Sequence, residues 1–355
     1  MINIFIAPTD TESGLTTISL GLIQALDAQG LKVGFVKPVA PGSSANERST
    51  QLIRSVLHLD TPEPMALADV QQSVSNGMLD RTLEDAVGLH AQVAEGCDVV
   101  IIEGLVPDRS EPYTAKLNVE IAKAMGADVL LVTSAEGKSA SQIRSDLKLQ
   151  VGLFGGKKAS MMGCIINKAG APDIHGALPT SEESPADMPP AGCSAKECEQ
   201  ITIDDCPVLG VIPWQVDLLS PRTLDIARAL NADIISEGDI DQRRVARITL
   251  CARTLTNMID HLRPGTLVVT PGDRDDIIVA SAMAATNGTP LAGLLLTSGY
   301  TPTDALHNLC ERAWQTGLPV LSVHTDSYST ARAPTHMDTH APVDDPARGK
   351  RIMKA

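Results

Sequence analysis

Short apolar runs alternate with longer amphipathic segments through the first two hundred residues of the chain. The apolar runs predict strands at residues 2–6, 31–36, 98–102, 128–133, 161–166 and 207–212. Runs with so few polar positions are typical of strands that are buried on both faces, as in a parallel sheet with helices on either side. The predicted fold class is therefore α/β, with a doubly wound, mainly parallel sheet.

Helical periodicity fills the intervals between several of these strands. Residues 15–29 carry apolar side chains at helical spacing, and Gly30 follows them as a typical stop signal. Residues 80–95 and 117–125 predict two further helices that cross from one strand to the next. The strand-helix alternation supports parallel pairing, because parallel neighbours need such crossovers.

A second alternating pattern begins after residue 215. It predicts strands at residues 243–249, 266–270, 291–297 and 319–323, with helices at about 222–230, 274–287 and 303–317. At 355 residues, the chain is long enough for two domains that each bury a core. We therefore expect a first domain over residues 1–215 and a smaller α/β domain over residues 216–325.

Two segments lack this periodicity. Residues 169–205 are rich in Gly, Pro, Ser, Ala and acidic residues, and their prolines would break a helix. Because a strand of the first domain is predicted to follow, we expect a flexible surface loop there and not a domain boundary. Residues 326–355 become polar and end in basic residues, which predicts a linker or a truncated tail.

Composition narrows the class of protein. A hydrophobic content of 43% with 20% charged residues is ordinary for a globular protein. The net charge of −14, without clustered Lys or Arg, argues against binding to nucleic acid. Met1 leads into the first strand without a charged leader, and no apolar run is long enough to span a membrane, so we expect a cytoplasmic protein without a membrane partner. Seven cysteines without disulfide-framework spacing fit reduced thiols.

The segment between the first strand and the first helix carries the main functional signal. Residues 7–17 (APTDTESGLTT) occupy the place of a phosphate-binding loop, and Gly14 and Thr16 suit that role. Leu15 stands where a lysine would reach the β- and γ-phosphates, and Pro8 stands where a leading glycine would be. The sequence therefore predicts a sheet of the P-loop NTPase type that lacks the main charge for phosphoryl transfer.

The loop still offers backbone N–H groups and hydroxyls at a helix N-terminus, where anions bind favourably. Lys37 and Glu103 follow predicted strands, and the carboxyl ends of strands in an open α/β sheet face one crevice. We expect a nucleotide, dinucleotide or other anionic effector there, and no required cofactor. The candidate binding residues are Thr9, Asp10, Ser13, Gly14, Thr16, Thr17, Lys37 and Glu103. Two alternatives stay open, a relic turn kept for folding and a structural salt bridge between Lys37 and Glu103.

Other chemistry has little support in the sequence. His336 and His340 are four residues apart, but they lie in the polar tail between prolines. Cys193, Cys198 and Cys206 lie close together without a CxxC pair or a nearby histidine to complete a metal site. No Gly-x-Ser-x-Gly nucleophile elbow occurs. We predict no catalytic residues and no metal ligands.

The quoted loop also carries a family resemblance. Residues 8–17 resemble the degenerate loop at the start of long-form bacterial phosphate acetyltransferases, whose first domain looks like an inactivated dethiobiotin synthetase. Further blocks match that family in order, at residues 36–40, 99–107, 165–168, 207–214, 237–240 and 294–300. The blocks cover residues 2 to about 325. The second domain resembles the DRTGG module, although residues 272–276 (GDRDD) depart from the motif that names it.

The resemblance implies a role for the chain within a larger protein. The family transfers an acetyl group between coenzyme A and inorganic phosphate, forming acetyl phosphate in acetate metabolism, and its catalytic machinery lies in a C-terminal domain. None of that domain is found in these 355 residues. The resemblance therefore implies a non-catalytic region for allosteric regulation and oligomer contacts. It also implies a homo-oligomer and a phosphate acetyltransferase catalytic domain as partner, in cis or in trans.

Two other functions remain open, and so does whether the chain alone is an enzyme. An ATP-dependent ligase of the dethiobiotin synthetase type would need the loop lysine, so Leu15 and Pro8 argue against it. A free-standing metabolite-sensing module would look the same in this sequence. An open reading frame for a catalytic domain directly downstream would distinguish a module from a fragment.

Overall fold

The computed structural model describes residues 1–42, 47–106, 113–156, 160–172, 191–215, 218, 220–333 and 342–352. Contacts between Cα atoms divide the chain into two units. The first unit contains the described residues of Met1–Pro172, Pro190–Gln215 and Ala341–Ala355. The second contains those of Val216–His340. Each unit has its own sheet and its own buried apolar clusters.

The first unit is built on a six-stranded sheet in which every neighbouring pair of strands is parallel. Its strands are β1 (Ile2–Pro8), β2 (Val33–Val36), β5 (Val99–Glu103), β6 (Asp128–Ser134), β7 (Met161–Ala169) and β8 (Val208–Pro213), in the order β2-β5-β1-β6-β7-β8. A separate parallel pair joins β3 (Val39–Ala40) to β4 (Met65–Ala66). Because β1 lies between β5 and β6, the loop that follows β1 lies beside the ends of both.

Helices of the first unit connect these strands. They are α1 (Leu15–Asp27), α2 (Arg48–Leu57), α3 (Leu67–Ser75), α4 (Leu79–Ala94), α5 (Tyr113–Ala124), α6 (Ala140–Leu153) and α7 (Ala195–Glu199). Sequence signals explain where α6 begins, since Ser139 and Gln142 form a reciprocal capping box. Its buried positions Ile143, Leu147 and Val151 recur every four residues along one face.

The second unit contains a five-stranded sheet in the order β10-β11-β12-β13-β9. The strands are β9 (Asp233–Ser236), β10 (Arg247–Leu250), β11 (Thr266–Pro271), β12 (Gly293–Thr297) and β13 (Val320–Ser322), and only β9 runs antiparallel to its neighbour. Its helices are α8 (Thr223–Leu230), α9 (Asp275–Thr286), α10 (Asp304–Leu309), α11 (Glu311–Trp314) and α12 (Ser327–Arg332). Two short 3₁₀ turns lie at Leu255–Asn257 and Ile259–His261.

One more helix, α13 (Pro346–Ile352), belongs to the first unit and packs on α1 and α2. Residues 326–355 were expected to form a linker or tail. The structure instead places α12 and α13 within them. The reason is packing, because neither helix is long enough to be stable without a surface to cover.

The predicted α/β fold is confirmed. The central strands are buried on both faces: Ile101 and Ile102 of β5 are fully buried, as are Leu294, Leu295 and Leu296 of β12. Consecutive buried residues require cover on each side of the sheet, which explains the unbroken apolar runs in the sequence. No helix among the described residues is long and apolar enough to cross a membrane.

Several elements differ from the sequence expectations. Helices α2, α3 and α6 and strand β9 were not predicted, and the helix expected at 303–317 is divided into α10 and α11. Of the loop expected at 169–205, residues 173–190 lie outside the described residues. The described remainder is ordered, since β7 extends to Ala169 and α7 begins with a capping box at Ser194. Cys193, Cys198 and Cys206 are buried in the core of the first unit, which holds this segment in place.

Candidate functional site

The candidate site lies where the loop after β1 enters α1. Gly14 is the N-cap of α1 with φ of 80°, and no side chain caps this helix end. A Cβ atom at Gly14 would lie 2.5 Å from Nδ2 of Asn167, so the left-handed backbone and the close approach both require glycine. Asn167 also secures the loop, because its Nδ2 donates to the carbonyl oxygen of Ser13 at 3.0 Å.

Leu15 begins α1 and is buried in the first unit with 4% of its surface exposed. A phosphate-binding lysine must bring its ammonium to the ligand. A buried leucine contributes packing and no charge. The position that would carry the catalytic charge in a P-loop therefore belongs to the apolar interior of the fold.

A buried cluster of charges lies next to this loop. Lys37, just after β2, donates from Nζ to Oε1 of Glu47 at 2.8 Å and to Oε1 of Glu103 at 2.9 Å. Its Nζ also donates to Oγ of Ser49 at 3.2 Å. The exposed fractions of Lys37, Glu47 and Glu103 are 5%, 8% and 1%. The ammonium is therefore enclosed by oxygen atoms of the protein, and a phosphate would have to compete with them.

Hydroxyl groups connect this cluster to α1 and α2. Ser19 on α1 donates to Oε2 of Glu103 at 2.9 Å. Thr16, also on α1, lies 2.7 Å from the hydroxyl oxygen of Ser49 on α2. Glu47 is the N-cap of α2, and its Oε2 accepts from the backbone N–H of Thr50 at 2.7 Å. The cluster thus joins the first turns of both helices to the end of β5.

Electrostatics keep this cluster charged. Burial by itself would lower the pKa of Lys37, but Glu103 and Glu47 more than offset that effect and hold the pKa above its ordinary value. Burial would likewise raise the pKa of Glu47, yet the Lys37 ammonium and the N–H groups of Thr50 and Ser49 hold it below its ordinary value. The folded protein therefore favours the ammonium form of Lys37 and the carboxylate form of Glu47.

Other lysines near the loop are also paired with carboxylates. Lys138 donates to Asp10 at 2.8 Å and to Asp146 at 2.7 Å, and these partners raise its pKa against the opposing effect of burial. Lys168 lies 2.6 Å from Glu136 and 3.9 Å from Glu12. Each of the three lysines, Lys37 included, contacts two carboxylates. This part of the molecule therefore carries more negative than positive charge, which disfavours polyphosphates.

The structure brings most of the predicted site residues together. Thr16, Lys37 and Glu103 belong to the buried cluster, directly or through Ser49. Thr9 donates to Asp10, which lies in the loop facing Lys138. The remaining three, Ser13, Gly14 and Thr17, lie in the loop or in the first turn of α1.

One loop hydroxyl stands out among them. Ser13 is 1% exposed, and its Oγ has no hydrogen-bond partner among the described residues. Buried hydroxyls are normally hydrogen-bonded, so an unpaired one is costly in the free protein. It lies next to the uncapped end of α1, where a ligand with an oxygen or nitrogen atom would satisfy it.

Sequence reasoning missed Glu47, Ser49, Ser19, Asn167 and Lys138. Asn167 and Lys138 follow predicted strands, so the rule that strand ends gather at the site could have found them. Glu47 caps α2 and Ser49 lies in its first turn, and this helix was itself not predicted. Among the described residues no group of three or more His, Cys, Asp or Glu side chains is placed to hold a metal ion. His336 and His340 lie outside the described residues.

Two family models match the chain, one after the other, in the same order as its two sheets. The AAA domain model matches residues 3–222, and the DRTGG domain model matches residues 225–337. A phosphate acetyltransferase of Pseudomonas aeruginosa is 45% identical over 355 residues, which cover 99% of this chain and 49% of that protein. The chain belongs to the family of the AAA domain model, which matches more than half of its residues. Over its whole length it fits the N-terminal region of the long form of phosphate acetyltransferase.

Less similar proteins also match the chain. The phosphate acetyltransferase of Escherichia coli is 36% identical over 359 residues, covering 99% of this chain and 50% of that protein. The chain thus spans about half the length of the curated relatives it matches. Among solved structures, the MinD cell division protein of Aquifex aeolicus is 15% identical, with a TM-score of 0.37, over 61% of this chain and 84% of that one.

Proposed function

We propose that this phosphate acetyltransferase chain is a non-catalytic regulatory and oligomerisation region, and that acetyl transfer takes place in another part of the full-length relatives. The observation that supports this proposal is the state of the P-loop position. Leu15 is buried, and Lys37 is engaged by Glu47 and Glu103. Neither can supply the positive charge that phosphoryl transfer requires.

The same observation argues against a ligase of the dethiobiotin synthetase type. Such an enzyme must stabilise charge on a transferring phosphoryl group. The carboxylates near the loop outnumber the ammonium groups and would oppose that charge. We therefore favour regulation over ATP-dependent catalysis.

Two assays test the non-catalytic role. Purified chain is expected to form no acetyl phosphate from acetyl-CoA and inorganic phosphate, and to hydrolyse ATP with Mg²⁺ no faster than a buffer blank. A matched sample of a full-length relative is the positive control for the first assay. Phosphate-dependent acetyl phosphate formation by the chain alone would refute the proposal.

We further propose that the loop after β1 binds a nucleotide, dinucleotide or smaller anionic effector. The uncapped N-terminus of α1 and the unpaired hydroxyl of Ser13 support this site. Because Lys37 is already paired, backbone N–H groups would provide most of the binding. We expect weak affinity, in the millimolar range, with a binding free energy of only about −4 kcal/mol.

Thermal shift measurements with ATP, NAD⁺ and inorganic phosphate test this site. A ligand that binds the folded state raises the melting temperature by mass action. Gly14→Ala should abolish the rise, because a Cβ there meets Asn167. Gly88→Ala is the control, since a Cβ at Gly88 meets nothing within 4 Å. If none of the three probes shifts the wild-type protein, the effector site is refuted while the non-catalytic role stands.

A further inference from the structure

Helix α13 packs against the two helices that carry the hydroxyl groups of the candidate site. Its contacts are with α1, which holds Thr16 and Ser19, and with α2, which holds Ser49. Contacts within the first unit thus bring residues near the C-terminal end of the chain onto helices that begin near its N-terminal end.

The contact between α13 and α2 is unusually close at one point. A Cβ atom on Gly349 would lie 2.4 Å from Cγ2 and 3.1 Å from Cγ1 of Val56. Real Cβ atoms do not approach a carbon atom so closely without a shift of the neighbour. Gly349 therefore allows α13 to lie directly on α2, and any larger residue would push the two helices apart.

Other residues of the segment are inserted into the first unit. Asp345, Arg348 and Ile352 are 1%, 5% and 7% exposed. Asp345 also starts the helix, because its Oδ1 accepts from the backbone N–H of Arg348 at 3.1 Å. Burial of an Asp, an Arg and an Ile within eight residues identifies a docked segment and not a surface helix.

The docked helix and the buried cluster share one face of α2. Ser49 and Val56 are seven residues apart, which is two helical turns, so their side chains lie on the same face. At one end of this face Ser49 contacts Lys37 and Thr16. At the other end Val56 meets Gly349. A shift of α2 at the cluster would therefore change the fit of α13, because protein interiors are close-packed and transmit displacement.

We propose that α1 and α2 form a docking surface for residues 342–352, and that α13 is the element through which the state of the candidate site reaches other parts of a phosphate acetyltransferase. The coupling rests on the proposed regulatory function. The docking itself does not, since it depends only on contacts within this chain.

Tryptic cleavage after Arg348, followed by mass spectrometry of the 355-residue protein, measures docking. Gly349→Ala should accelerate this cleavage at least about tenfold, because the added Cβ meets Val56 and raises the population of the undocked segment. Val56→Ala combined with Gly349→Ala should restore slow cleavage, since it removes the two methyl carbons involved. Gly88→Ala is the control, as an exposed helical glycine with open space around it.

A second pair of variants tests the coupling. Ser49→Ala removes the hydroxyl through which the first turn of α2 contacts Lys37 and Thr16, and it should also accelerate cleavage after Arg348. Ser139→Ala, which removes a hydroxyl from the start of α6, should leave that rate unchanged. Equal cleavage rates in Ser49→Ala and wild-type protein would overturn the coupling.

The docking proposal is refuted if the double variant at Val56 and Gly349 is cleaved as fast as Gly349→Ala. If Gly349→Ala does not fold, Ile352→Asp provides the same test, because a charge at this buried position disfavours docking without a clash against α2. A folded Ile352→Asp protein with wild-type protection at Arg348 would equally refute it. None of these readouts involves acetyl phosphate or an effector, so failure here and failure of the proposed function are distinguishable.

Discussion

At the scale of single residues, Lys37 determines how the candidate site behaves. Its ammonium compensates the buried carboxylates of Glu47 and Glu103, and a charge of this kind is tolerated in a protein interior only when it is paired and hydrogen-bonded. The pairing that keeps the fold stable also keeps Lys37 from a phosphate. The retained lysine is thus better explained by stability than by phosphoryl transfer.

We predict that Lys37→Met strongly destabilises the first unit. It leaves two carboxylates buried without their cation, a change that typically costs about 3–5 kcal/mol. Urea denaturation followed by circular dichroism measures the loss. Lys138→Met is the matched control, because Lys138 also contacts two carboxylates but its side chain is 22% exposed, so we expect a loss of about 1 kcal/mol or less. Equal losses of unfolding free energy in both variants would contradict the claim that burial makes the Lys37 ion pairs more important for stability.

A second prediction concerns pH. The pKa of Glu47 lies below its ordinary value of 4.5 in the folded state, so the unfolded chain binds more protons in acid. The free energy of unfolding should therefore be constant near neutral pH and fall below about pH 5. The raised pKa of Lys37 acts only at the alkaline end, where its contribution is lost above 10.5.

Urea midpoints between pH 3 and pH 7, at about half-unit intervals, measure this acid dependence. Glu47→Gln, which keeps an oxygen to cap α2, should have a shallower decline than the wild-type protein. A variant with the wild-type decline would show that other carboxyls cause it.

At the scale of elements, the turn from β1 into α1 has the backbone geometry of a phosphate-binding loop but lacks its lysine. Gly14 still provides the left-handed N-cap, and Asn167 still holds the loop. Leu15 contributes to the interior instead of to the loop surface. The turn was recognisable in the sequence because strand, glycine and helix follow one another in fixed order, whatever residue occupies position 15.

We predict that Leu15→Lys does not restore nucleotide hydrolysis. The side chain at position 15 is buried, so a lysine there loses apolar burial and places an ammonium in the interior. We expect a loss of about 2–4 kcal/mol in unfolding free energy and no Mg²⁺-dependent ATPase activity. Leu15→Met, which conserves volume and polarity, should cost less than about 1.5 kcal/mol. Sustained ATP hydrolysis by Leu15→Lys would contradict this prediction, because it would mean that the loop lacked only the charge of one lysine.

At the scale of the whole molecule, each unit has a core of its own. Phe5 is fully buried in the first unit, and Leu295 is fully buried in the second. Scarce aromatic residues leave these cores to aliphatic side chains, which pack between sheet and helices in both units. Separate cores of this kind can unfold separately.

We predict that core substitutions act on one unit at a time. Phe5→Ala should lower the calorimetric transition of the first unit, and Leu295→Ala that of the second, with a cost of about 2–5 kcal/mol in each case. Leu149→Ala is a surface control, since that side chain is 65% exposed. If either core substitution shifts all unfolding as a single transition, the two units unfold cooperatively and the prediction is wrong.

The sequence by itself determined the fold class and most of the central strands. Buried parallel strands need uninterrupted apolar runs, and such runs are visible without any tertiary information. It also determined that the loop lacks a lysine, since Leu15 can be read directly. Lys37 and Glu103 were recognisable as neighbours, because the carboxyl ends of parallel strands meet at one edge of the sheet.

Only the tertiary structure decided what those residues do together. Glu47 and Ser49 complete the cluster from the N-cap and first turn of α2, and the apolar spacing of Leu52, Ile53 and Val56 along this helix says nothing about which charges its first turn will meet. The docking of α13 likewise depends on Gly349 meeting Val56, a contact between residues almost three hundred positions apart. Patterns along a chain report which faces are buried, but the partners of a buried charge or a small residue are set by the packing of distant elements.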